Sequence, residues 1–161
     1  MNARLLYWLR MHDPTYGIVP PIEQKGEWIP QFGDDSLDGT GEGQVYSVQV
    51  GGYVKIGSQV FIQGQLALTS FGTLTGTETM RILGLPFPSI NIPGNTGGIR
   101  INFASGLNLP KAGGMGGFIS ANSEVIVITL DDVTTGPTGL LVSEFSSDGN
   151  IIFSGSYRAS E

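Results

Sequence analysis

The residue types that most often carry enzymatic chemistry are sparse in this sequence. One histidine, His12, is present, and it adjoins the Asp13-Pro14 pair near the start of the chain. A serine triad needs such an imidazole beside a serine presented on a Gly-x-Ser-x-Gly elbow, and no such elbow occurs. A cage of histidines around a metal needs more than one, so His12 is expected to be an exposed or hydrogen-bonded side chain. Cysteine is absent, which excludes disulfides, thiolate metal sites and cysteine nucleophiles.

Carboxylates offer a second chemistry. In Asp34-Asp-Ser-Leu-Asp38-Gly-Thr-Gly-Glu42, the side chains of Asp34, Ser36 and Asp38 alternate ahead of a turn glycine, Gly39. That is the first half of a calcium loop, in which oxygens at this spacing converge on a hard cation. The twelfth position is Val45 instead of a bidentate glutamate, and the flanking segment reads as strand, so a solvated acidic turn is expected. A glycosidase needs two carboxyl groups flanking one bond. Asp131 and Asp132 point to opposite faces if their strand continues, and nothing in the sequence positions Asp34, Asp35, Asp38 or Glu42 for that task. Glycine clusters at 39–43, 94–98 and 113–117 superficially resemble phosphate loops. None opens a helix and none ends in Gly-Lys-Ser/Thr, so they are expected to be loops whose glycines supply positive φ. The expectation is a chain with no catalytic residues, no cofactor and no strong metal site.

The elements that would position these residues are strands. A chain of 161 residues suits one domain that buries roughly two thirds of its unfolded surface without a covalent staple. Charged residues make up 14% of it, against roughly 25% in an ordinary domain, and the 25 glycines are about twice the usual share. So few charges suggest surface hidden against neighbours or uncharged polar faces. The net charge of −6, with basic residues scattered, repels a phosphate backbone and argues against nucleic acid as a partner. No apolar run approaches the roughly 20 residues of a membrane helix. The short run Leu5–Leu9, broken by Arg10 and lacking a small-residue cleavage site, does not fit a signal peptide.

Met1 to Lys25 reads as an arm, with a short helix from Ala3 to Met11 followed by the Pro-restricted connector Tyr16-Gly-Ile-Val-Pro-Pro21. Leu5, Leu6, Tyr7, Trp8 and Leu9 would suit either packing on the arm's own domain or burial in a multi-subunit interface. Beyond it, residues 26–161 show period-two alternation. Val60, Ile62, Leu66 and Leu68 share one face, as do Tyr46, Val48 and Val50, then Met80 and Ile82, then Ile99, Ile101 and Phe103. Glu124 to Leu130 is almost unbroken β-branched sequence and is expected to be buried on both sides. Leu140–Phe145 and Ile151–Tyr157 are expected to form a hairpin around Ser147-Asp-Gly-Asn150. About eight to ten short strands of this kind give an all-β fold, a jelly roll or β-sandwich, with no fixed-period repeat.

Four short motifs occur in order along that domain: Trp28-Ile-Pro30, Gly52-Tyr53-Val-Lys55-Ile-Gly57, Gly84-Leu85-Pro86-Phe87 and Gly155-Ser-Tyr157. In this set and order the sequence resembles a β-domain recurrent in tailed-bacteriophage virion proteins, over most of the stretch from Glu27 to Arg158. The resemblance implies a trimeric jelly roll of the kind found in tail fibres, tailspikes and capsid decorations, with these turn residues structural and not catalytic. Two roles follow from it. A capsid decoration, or cement, protein would trimerise and clamp major capsid subunits from the outer surface of the shell. A tail-fibre or receptor-binding subunit would instead dock on a tail adaptor and bind host glycans. A fibre needs a shaft of heptads or β-helical repeats, and none appears in these residues, so decoration is the preferred expectation. A glycan hydrolase is the remote third.

Overall fold

A computed structural model describes residues 23–35, 43–109, 113–132 and 136–160. They form ten strands: β1 (Glu23–Trp28), β2 (Gln31–Gly33), β3 (Val45–Ile56), β4 (Gln59–Ser70), β5 (Arg81–Leu83), β6 (Asn95–Leu107), β7 (Met115–Ser120), β8 (Ile126–Asp132), β9 (Gly136–Gly139) and β10 (Phe145–Arg158). Every pairing is antiparallel. The strands make one sheet in the order β1-β3-β4-β10-β6-β7-β8-β5-β2, with β9 added on β8. β1 and β2 occupy opposite ends of that order, yet Ile29 and Pro30 alone separate them in sequence. Two residues span no more than about 10 Å, so the sheet must curl until its ends meet. The fold is therefore all-β and of the jelly-roll and sandwich class.

The curl encloses one core, in which Phe32, Leu66, Met80, Ile82, Ile126, Ile151 and Phe153 are essentially solvent-free. Aromatic rings are accommodated by glycines on the facing strands. A side chain at Gly51 would overlap the Trp28 ring, and one at Gly64 would lie 2.5 Å from the tip of Phe153. Trp28 and Phe153 then meet edge to face, with ring centroids 6.1 Å apart. The β3–β4 hairpin turns through Gly57-Ser58, where Gly57 has φ of 59°, as a tight two-residue turn with glycine first requires.

Several expectations change. Four strands have 12 to 14 residues and are not short. Glu23, Gln24 and Lys25 belong to β1, so the arm's boundary at Lys25 falls inside a strand. All three are exposed, and an edge strand with polar residues on both faces leaves no alternating signature. Leu140–Phe145 and Ile151–Tyr157 are not a hairpin: Val142–Glu144 is a 3-10 turn, and the chain then runs on as the single strand β10. Phe145 pairs with Leu107 and Asn150 with Ser105, so the Ser-Asp-Gly segment forms an outward bulge in a continuous strand. Glu124–Leu130 is buried on one side, through Ile126, Ile128 and Leu130, while Glu124 is exposed and Val125, Val127 and Thr129 are half-buried. A bulge at Ser47 sets Tyr46 opposite Leu68 and Val48 opposite Ala67, which turns Val50 outward, away from the face of Tyr46. A second bulge, at Asn102, leaves Phe103 exposed although Ile99 is buried. Of the three glycine clusters, the middle and last are largely strand: Gly97 and Gly98 lie in β6, and Gly116 and Gly117 in β7.

Candidate functional site

Three of the four sequence motifs meet in space at Phe87. Tyr53, on β3, presents its ring edge-on to Phe87 at 5.3 Å between centroids. Two residues on, Lys55 lies on the same face of β3, and its Nζ sits 4.5 Å from the Phe87 ring centre, a cation–π contact. Val54 and Ile56 consequently face outward. From β10, the Tyr157 hydroxyl donates to the Phe87 carbonyl at 2.9 Å and accepts from the Phe87 amide at 3.3 Å. Gly84, with φ of 80°, makes the turn that enters this segment, and Leu85 is buried while its amide donates to the Glu124 carbonyl at 3.1 Å. Pro86, which has no amide hydrogen, leads directly into Phe87.

Tyr157 is buried, and its hydroxyl is pushed up to about 12. Burial is the main cause; the Phe87 amide opposes it, and the nearby Glu124 carboxylate adds to it. The neutral phenol is thus held where it can both donate and accept. Gly155 lies where a side chain would overlap Ile99, so β10 and β6 approach closely there. Trp28 and Pro30 bracket the switch from β1 to β2, and the Pro30 carbonyl accepts from the Gln49 amide at 3.0 Å. The cluster ties the turn before Phe87 to β3 and β10.

Asp34 is buried, and its Oδ2 accepts from the Thr75 amide at 2.7 Å, fastening β2 to the loop after β4. Asp35 pairs with Arg81 across the β2–β5 ladder. The other calcium candidates, Ser36 and Asp38, lie outside the described residues, as do Gly39, Glu42, His12 and the arm residues Leu5, Leu6, Tyr7, Trp8 and Leu9. Among the described residues no three His, Cys, Asp or Glu side chains gather as metal ligands. β8 continues through Asp132, where Asp131 pairs with Pro137 of β9. At the last glycine cluster, Gly113 and Gly117 are pressed against β8 rather than opening a phosphate loop: a side chain at Gly117 would sit 2.8 Å from the Val127 carbonyl oxygen.

The second feature is the outward face of β1, β3, β4, β10 and β6. Val50, Phe61, Phe103 and Ile152 are exposed there, and shallow depressions floored by glycines lie between them. The alternation placed Val50 on one face with Tyr46, and Phe103 on one face with Ile99, whereas both are exposed; Phe61 and Ile152 were not singled out. Phe61 lies between Val60 and Ile62, and Ile152 between Ile151 and Phe153, so strict alternation would have placed both outside.

No family model and no curated protein sequence matches the chain. Among solved structures, the fold is similar to the Dettilon tailspike protein gp208, with a TM-score of 0.66 and 14% sequence identity. The match covers 86% of this chain and 24% of that protein, so the chain spans about a quarter of the tailspike's length.

Proposed function

We propose that the protein is a non-enzymatic structural subunit of a tailed-phage virion, acting as a homotrimer on the particle surface. The observation that carries this reading is the joining of three motif segments at Phe87 in a fold shared with a tailspike. Motifs spent on fixing a turn, with their hydroxyl and amine groups engaged by one another, suit a scaffold that must present surfaces reproducibly.

Of the two seats on the particle, the likeness to a tailspike favours the tail, where the subunit would dock on an adaptor or take part in binding host glycans. Capsid decoration, in which the trimer clamps major capsid subunits, is the second reading, favoured by the apolar arm segment Leu5–Leu9 as an anchor. Quantitative mass spectrometry of separated heads and tails distinguishes them. Recovery with tails at a few copies per particle supports the first, and recovery with heads at hundreds of copies supports the second. Absence from both fractions refutes the virion reading.

A further inference from the structure

We propose that the outward face of β1-β3-β4-β10-β6 is the surface through which copies of this chain associate, around a rotation axis running along the strands. The inference rests on the homotrimer reading above and adds where the copies touch. Val50 lies opposite Gln65, Gln65 opposite Ile152, and Ile152 opposite Phe103, so one apolar-rich row crosses four strands. Val50 is 56% exposed, Ile152 37% and Phe103 49%, and Phe61, two rows along the same face, is 48% exposed. Single exposed apolar residues are ordinary, but a patch in register across neighbouring strands marks an interaction surface.

Two glycines on this face indicate how close the occupant comes. Gly98 has nothing of its own chain within 4 Å of where a side chain would begin, and Gly52 has nothing nearer than 3.7 Å. Neither has a positive φ. A glycine inside a strand weakens it, and one that neither the backbone nor the packing requires marks the close approach of another backbone.

Charge complementarity makes that backbone a second copy. The row Glu27–Gly52–Gln63–Ser154–Arg100 carries an acid at its β1 end and a base at its β6 end. Four strand spacings, about 19 Å, separate the two ends, and neither residue makes an ion pair among the described residues. They lie at one level along the strands. Rotation about an axis along the strands therefore sets Glu27 of one copy beside Arg100 of the next, and repeats that contact until the ring closes.

Sedimentation velocity of the full chain tests this. The wild type should be a trimer. Gly98→Leu and Phe61→Asp, both at exposed positions, should give folded monomers with an unchanged β circular dichroism spectrum. Glu27→Arg and Arg100→Glu should each weaken association by about tenfold at low salt, and the double charge swap should restore it. A trimer that persists unchanged in all of these variants overturns the choice of face and leaves the homotrimer reading standing. A wild type that stays monomeric at every concentration overturns the homotrimer reading itself. A monomer whose face becomes dye-binding only after removal of residues 1–22 overturns the inference in favour of the chain's own arm.

Discussion

Replacing Tyr157 by Phe removes one oxygen atom from the Phe87 cluster and leaves the ring in place. That oxygen satisfies both the Phe87 amide and the Phe87 carbonyl. Depriving partly buried backbone groups of their partner costs about 1–3 kcal/mol, so Tyr157→Phe should lose that much stability at pH 7. The phenol also makes a signed prediction about pH. Its pKa is raised from 10.0 to about 12 in the folded protein, so the folded state favours the neutral form. The resulting stability is complete below pH 10 and is lost as pH rises toward 12, at about 1.4 kcal/mol per unit of pKa difference. Between these limits the wild type should lose roughly 2–3 kcal/mol that the variant, lacking the hydroxyl, does not lose. Urea unfolding of both proteins from pH 7 to 12 measures the difference. The deficit of Tyr157→Phe should shrink above pH 10 and vanish near pH 12. A deficit that is absent at pH 7, or constant across the range, would refute the role given to the hydroxyl.

Other outcomes follow from the same packing. Gly64→Ala places a methyl 2.5 Å from the Phe153 ring and should cost about 1–3 kcal/mol in chemical denaturation, whereas Gly52→Ala, which meets nothing closer than 3.7 Å, should leave monomer stability nearly unchanged. Asp34 uses its carboxylate on the Thr75 amide, so calcium chelation should leave the melting temperature where it was, and a fall reversed by added calcium would overturn the acidic-turn reading. Deleting residues 1–22 starts the chain at β1 and should give a soluble β-domain with an intact cooperative transition. Loss of folding would make the arm part of the core.

Strand existence was legible where one face is buried and the other wet, as in β4, because the period of two is then imposed by the core. Bulges broke the legibility. Ser47 and Asn102 each add one residue and reverse every side chain beyond them, and neither has a composition that separates it from an ordinary strand residue. Ser147-Asp-Gly-Asn150 is good turn chemistry, and the structure uses it for a bulge instead. Its pairing strand, β6, is supplied from elsewhere in the chain, so β10 has no need to fold back on itself. The convergence at Phe87 was not legible in the order of the motifs, nor was the placement of Lys55 against the ring, since a lysine in a strand is ordinarily read as facing water. The exposed face escaped notice because Val50 and Phe103 belonged to patterns that predict burial. Only the register of four strands shows them side by side.

Cryo-electron microscopy of intact virions should show three-fold density with the shape of this β-domain on the outside of the particle, with the β1-to-β6 faces turned toward the three-fold axis. Virions with no such density, or with the domain present as isolated monomers, would contradict the proposed function.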